Sequence, residues 1–195
     1  MKDLFIKRFQ YYKELGDKTF DQLTDDQMFW QFNEESNSIA VIVKHIAGNM
    51  LSRWTNFLTE DGEKDWRNRD LEFVNSFSTK KEVVDYWEEG WKCLFDALNQ
   101  IKDPDWDAII YIRKEPHSVS DAVLRQLAHY PYHIGQIVYI AKMLKNDDWK
   151  TLSVARNKSN EFNEEMTRKF SGEIPQNSSP VCYKNDADVR DDYKE

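Results

Sequence analysis

The stretch RQLAHYPYHIGQIVYIAK, residues 125–142, places two histidines four positions apart within a run of apolar side chains. Side chains four residues apart in an α-helix leave the same face of that helix. That face is predicted to be buried, because it carries Ala122, Gln126, His129, His133, Ile137, Ile140 and Leu144. We therefore predict a long helix that is capped by Ser118 and ends near Leu144 or Lys145.

Two earlier segments show the same helical periodicity. The first covers residues 1–23 and is followed by turn residues at 24–26. Its buried face is predicted from Phe5, Phe9, Tyr12 and Leu15. The second is predicted to begin after Asn37 or Ser38, which are good N-cap residues, and to end near Phe57 or Leu58.

A third segment begins after Ser78 or Thr79, with Glu82 as the partner in a capping box. Its apolar stripe comprises Val84, Trp87, Trp91, Leu94, Leu98 and Ile101. A long ordered loop is predicted before it, a short strand or hairpin at residues 108–112, and a short helix at 161–170. Four long amphipathic helices in one domain predict an all-α protein with a four-helix bundle.

Length, charge and cysteine content narrow the classes of function. The 195 residues suffice for one domain, predicted over residues 1–170, with a disordered acidic tail at 171–195. The net charge of −8 and the lack of a Lys/Arg block disfavour a nucleic-acid partner. No run reaches the roughly 18 to 20 apolar residues of a membrane span. Cys93 and Cys182 are isolated from each other, which fits a reducing, cytoplasmic location.

Three of the four histidines are candidate metal ligands. His45 lies on the second predicted helix, on one stripe with Ile42, Asn49 and Ser52. Inward-facing histidines on two helices of a bundle can bind one metal, and imidazoles suit Zn²⁺, Ni²⁺ or Fe²⁺. The spacing alone also fits core histidines that are satisfied by hydrogen bonds. His117 is interpreted as an ordinary surface residue in a loop.

Three segments carry a resemblance to a known family: SIAVIVKHIAGNMLSRW (38–54), DGEKDWRNRDLEF (61–73) and RQLAHYPYHIGQIVYIAK (125–142). Together they resemble the DinB-like metalloenzyme superfamily, which includes bacillithiol transferases, and more closely its DUF1572 branch. The resemblance implies an up-down-down-up four-helix bundle with a crossover loop, and often a homodimer. It also implies a metal site that maps onto His45, His129 and His133.

The reaction is predicted from this resemblance. The first hypothesis is transfer of a low-molecular-weight thiol to an electrophile, with one divalent metal, Zn or Ni, as cofactor. The alternatives are a metal-dependent hydrolase and a protein that binds a metal or ligand without catalysis. A protease of the HExxH type is excluded, because the pair reads His-Tyr-Pro-Tyr-His and lacks the glutamate.

Five further residues are candidates for binding a small-molecule substrate or a thiol cosubstrate. Asn49, Gln126 and Tyr132 could line the pocket, and each is as readily a structural hydrogen-bonding group. Arg67 and Arg69 could bind a carboxylate, or they could hold their own loop by salt bridges. Catalytic residues other than the metal ligands are not identified, and Pro131 is predicted to kink its helix.

Overall fold

The computed structural model describes residues 1–170, and that part of the chain is mostly helical. It divides into two compact units, residues 1–152 and residues from 153 onward. In chain order, the first unit contains α1 (Lys2–Phe20), α2 (Asp25–Phe29), α3 (Ile39–Trp54), α4 (Lys80–Gln100), β1 (Ile109–Ile112), β2 (Glu115–Ser118) and α5 (Val119–Lys145). In the second unit, α6 (Ser159–Lys169) confirms the short helix predicted there.

Two sequence-based assignments concern the end of the chain and its domains. The predicted tail at 171–195 lies outside the described residues, and the single domain over 1–170 stays a prediction. Among the helices of residues 1–170, none has the length and apolar composition needed to cross a membrane.

The long helices begin where their capping residues predict. The Ser38 hydroxyl accepts a hydrogen bond from the Val41 amide at the start of α3. Thr79 and Glu82 form a complete capping box at the start of α4. These side chains satisfy amide groups that have no partner within the helix, which fixes where the helix starts. The end of α3 was predicted less well, since it lies at Trp54 rather than near Phe57.

The turn predicted at residues 24–26 was wrong. Thr24 is instead the N-cap of the short helix α2, and it forms a capping box with Gln27. Thr-Asp-Asp is compatible with both structures, because acidic residues also stabilise the first turn of a helix. The preceding helix ends at Phe20, earlier than the predicted Leu23.

The core lies where the four long helices meet. Helix α3 packs on α4 and α5, and α1 packs on the same two helices. Trp87 and Trp91 of the predicted apolar stripe are buried, which confirms the stripe at these positions, and Trp54 of α3 is buried as well. Phe9 of α1 and Tyr130 of α5 are fully buried against Trp91. Burial of such large rings supplies much of the hydrophobic stabilisation of the fold.

The predicted strand at 108–112 forms one arm of an antiparallel hairpin, with Ile109 opposite Ser118. Arg113 and Lys114 make the turn with positive φ angles of 55° and 65°. Both of their amides donate hydrogen bonds to the Asp61 carboxylate, each at 2.8 Å. The long loop before α4 is therefore anchored to the hairpin, as an ordered loop requires.

Close packing of α3 on α4 depends on Gly90. A Cβ atom at this position would lie 2.8 Å from the Ala47 Cα atom, closer than van der Waals contact allows. We expect Gly90→Ala to lower the free energy of unfolding by about 1–3 kcal/mol, measured by urea denaturation. Gly135→Ala is the control, because a Cβ there meets nothing within 4 Å. Equal stability of the Gly90 variant and the parent would contradict this packing.

Candidate metal centre

The structure brings the three predicted histidines together. Helix α3 contributes His45, and α5 contributes His129 and His133. One nitrogen from each ring lies within 4.8 Å of the other two. The Nε2 atoms of His129 and His133 are 3.1 Å apart. Two helices that are separated in sequence thus form one histidine cluster at their interface.

The Nδ1 atom of each ring faces an oxygen acceptor of the protein. His45 Nδ1 donates to Glu72 Oε2 at 2.9 Å, and His133 Nδ1 donates to Gln136 Oε1 at 2.8 Å. His129 Nδ1 makes a longer contact of 3.4 Å with Gln126 Oε1. A proton on Nδ1 leaves the lone pair on Nε2, which is the tautomer needed for a metal that binds at Nε2.

The positions of the Nε2 atoms bear on whether a metal fits the site. With the Nδ1 atoms of both rings protonated, the Nε2 atoms of His129 and His133, 3.1 Å apart, would face each other as two acceptors. Facing lone pairs repel each other in a poorly solvated site, and a cation between them would remove that repulsion. Three imidazole nitrogens are a donor set typical of Zn²⁺ and other transition-metal ions. The residues present therefore fit a divalent metal.

The protonation of the cluster favours metal binding as well. Burial, followed by the proximity of His133 and His45, lowers the pKa of His129 to about 3. Burial also lowers the pKa of His133. Both rings are consequently neutral near pH 7. Protons then compete weakly with a metal for the Nε2 lone pairs.

Glu72 is a site residue that the sequence analysis did not identify. It lies in a 3₁₀ turn at Asp70–Phe73, and its carboxylate is buried. Arg67 binds both of its oxygens, at 2.7 and 2.9 Å. Burial opposes ionisation, but hydrogen bonds from His45 and Arg67 outweigh it and lower the Glu72 pKa. Glu72 is therefore an anion that holds His45 in one orientation.

Arg67 and Arg69 lie in different environments. The Arg67 side chain is buried, and Glu72 and Glu63 engage its guanidinium. The structure thus gives Arg67 the loop-holding role that was the alternative to substrate binding. Arg69 is half exposed and lies 5.0 Å above the ring of Phe73. Phe73 in turn stacks on His45, with ring centroids 4.8 Å apart.

The three polar candidate residues on the helices also differ in their burial and in their partners. Asn49 is buried and accepts a hydrogen bond from the Tyr130 hydroxyl at 3.1 Å. Gln126 is buried beside His129. Tyr132 is exposed, and its ring lies edge-on to His133 with the centroids 4.9 Å apart. Asn49 and Gln126 thus have internal partners, whereas Tyr132 is 64% exposed.

The interpretation of His117 as an ordinary loop residue was wrong. His117 lies on β2, and only 9% of its side chain is exposed. Its Nδ1 atom donates to the Asp121 carboxylate at 2.6 Å, and Arg125 donates to its Nε2 atom. It is a structural residue between β2 and α5. Helix α5 itself continues through Pro131 without interruption.

The fold and the cluster define a mostly helical protein with a candidate three-histidine metal centre. The chain belongs to the family described as "Protein of unknown function (DUF1572)", whose family model matches residues 2–158.

One solved structure supports the fold. It is that of a DinB-like protein from Bacillus cereus, with a TM-score of 0.55 and 19% sequence identity. The match covers 72% of this chain and 90% of the other. No curated protein matches the chain significantly.

Proposed function

We propose that the chain is a divalent-metal-dependent enzyme whose metal is held by the Nε2 atoms of His45, His129 and His133. The observation that carries this proposal is the convergence of three imidazole nitrogens whose Nδ1 atoms face acceptors of the protein. Three protein ligands leave coordination positions for a substrate, and zinc or nickel suits this donor set. We also propose that the four long helices form the up-down-down-up bundle typical of DinB-like proteins.

The reaction that we propose first is transfer of a low-molecular-weight thiol to an electrophile. A divalent metal held by His45, His129 and His133 would supply a Lewis acid that favours the ionised form of a thiol. The thiol loses its proton to solvent, and the sulfur electron pair forms a bond to the electrophilic carbon. The bond from that carbon to its leaving group breaks, and the leaving group departs with the bonding electrons.

The surroundings of the cluster support thiol transfer over hydrolysis. Hydrolysis at a metal centre is commonly assisted by a carboxylate that accepts a proton from water. Within residues 1–170, Glu72 is the carboxylate that contacts a histidine of the cluster, and both of its oxygens are engaged by Arg67. A thiol ionises far more readily than water, so its transfer requires no such base.

Location and assembly are further proposals. We place the protein in the cytoplasm, because its sequence shows the cysteine usage of a reducing compartment. We propose a homodimer as well, since α5 exposes apolar side chains at Leu124 and Tyr132. Sedimentation of the purified protein tests this assembly, and a monomer at micromolar concentration would contradict it.

Elemental analysis of the purified protein tests the metal. We expect about one equivalent of zinc or nickel per chain, and less than about a tenth of that in the His129→Ala, His133→Ala variant, which keeps one ligand of three. His117→Gln is the matched control, because it removes the remaining histidine outside the cluster. A parent without metal after reconstitution with Zn²⁺ or Ni²⁺ would refute the enzyme proposal.

A further inference from the structure

A second feature lies beside the candidate metal centre, a cavity of about 460 Å³ between the α2–α3 connection and the second half of α5. Its apolar lining consists of Trp30, Phe32, Ile42, Tyr139, Ile140 and Met143. We refer to it as the aromatic cavity. Sites for small organic molecules in proteins typically have volumes of about 300–1,000 Å³ and are mostly apolar.

The aromatic cavity and the histidine cluster lie along the same interface between α3 and α5. Ile42 lines the cavity and lies one helical turn before His45. Gln136 also lines the cavity, and its Oε1 atom accepts the hydrogen bond from His133 Nδ1 at 2.8 Å. The Gln136 side chain therefore contacts both the aromatic cavity and the histidine cluster. A molecule that fills the cavity would lie next to a residue that contacts His133.

The aromatic side chains of the cavity are exposed to an extent that needs an explanation. Phe32 is 74% exposed and Tyr139 is 65% exposed. Trp30 and Phe32 form two adjoining walls, with ring centroids 6.2 Å apart and planes inclined by 59°. Reciprocal hydrogen bonds between Asn33 and Ser36 hold the turn behind them. Exposed rings that are held around one cavity are typical of a binding site.

The charge of the cavity selects among ligands. Glu35 is the only lining residue with a formal charge, and no partner for its carboxylate is found within residues 1–170. A carboxylate beside aromatic faces attracts ammonium groups and repels carboxylates, because both the anion and the ring faces are electron-rich. An anionic thiol is therefore disfavoured in this cavity.

We propose that the aromatic cavity binds the electrophilic substrate, and that this substrate is an aromatic compound with a positive rather than a negative charge. This inference rests on the proposed function, because it assigns the cavity to the substrate that meets the metal-bound partner. It leaves the thiol to the side of the cluster where Phe73 stacks on His45 and the half-exposed Arg69 lies above Phe73.

Calorimetric titration of the metal-loaded protein with 2-naphthylmethylammonium and 2-naphthoate tests the charge preference. These probes share one ring system and differ in the sign of their charge. We expect the ammonium probe to bind at least about tenfold more tightly, and Glu35→Gln to reduce this ratio to less than about threefold. Metal content is measured for every sample, so a failure to load the metal is seen separately.

Two variants test the location of the probe. The Phe32→Ala, Tyr139→Ala variant is expected to weaken binding by about tenfold or more, because it removes two exposed rings. Tyr11→Ala is the control, since Tyr11 is an exposed aromatic residue on α1 outside the cavity. In the Co²⁺-loaded protein, the ammonium probe should also change the visible absorption spectrum with the same Kd.

The outcomes separate the two proposals. A metal-loaded protein that binds neither probe, or prefers the naphthoate, overturns the assignment of the cavity and leaves the metal site in place. Probe binding without any change in the Co²⁺ spectrum also overturns it, because the cavity would then be independent of the metal. A protein that takes up no metal refutes the proposed function, whichever probe it binds.

Discussion

Glu72→Ala is expected to lower the free energy of unfolding by about 3–5 kcal/mol, measured by urea denaturation in the presence of a chelator. The substitution removes the bidentate partner of Arg67, whose side chain is 2% exposed, and leaves Glu63 as its remaining partner. It also removes the acceptor of His45 Nδ1. Loss of one member of a buried ion pair is more harmful than loss of both, because the remaining charge stays desolvated.

A double variant and a surface pair provide the comparison. Arg67→Met combined with Glu72→Gln removes both charges, so we expect it to recover a large part of the lost stability. Asp85→Ala breaks the exposed Lys81–Asp85 pair and should change stability by less than about 1 kcal/mol. A Glu72 variant as stable as the Asp85 variant would contradict the importance assigned to the buried pair.

The second large effect is expected on the melting temperature when the metal is removed. Removing it with a chelator is expected to lower the melting temperature of the loaded protein by about 10 °C. A ligand at a thousand times its Kd stabilises the folded state by about 4 kcal/mol. For a domain of this size each kcal/mol corresponds to about 2–4 °C. Differential scanning calorimetry with and without the chelator measures the shift.

The His129→Ala, His133→Ala variant is the control for this measurement. It lacks two ligands, so its melting temperature should not respond to the chelator. A parent whose melting temperature stays the same after its metal has verifiably been removed would show that the metal contributes nothing to the stability of the fold.

Local patterns in the sequence predicted the helices well. Ser38, Thr79 and Ser118 each accept the hydrogen bond expected of an N-cap. Such bonds join residues three positions apart, so the sequence itself contains both partners. The ends of α1 and α3 were less well predicted. Helix ends depend on how the following chain packs, which periodicity does not describe.

The histidine cluster was predicted in part. The i, i+4 spacing placed His129 and His133 on one face, and the apolar stripe indicated that this face is turned inward. Glu72 was missed, although it lies within a segment that carried the family resemblance. Its contact with His45 bridges 27 residues and depends on the path of an irregular loop. No periodicity in the sequence encodes that path.

The distribution of the ligands along the chain has a consequence for folding. His129 and His133 lie on one helix, whereas His45 is 84 residues away from His129. In the unfolded chain a metal can bind His129 and His133 at a small cost in chain entropy, because they are neighbours. Binding His45 as well requires closing a long loop, which costs more chain entropy. Coordination by all three histidines would therefore require α3 and α5 to have docked, so a bound ion would stabilise the completed fold rather than nucleate folding.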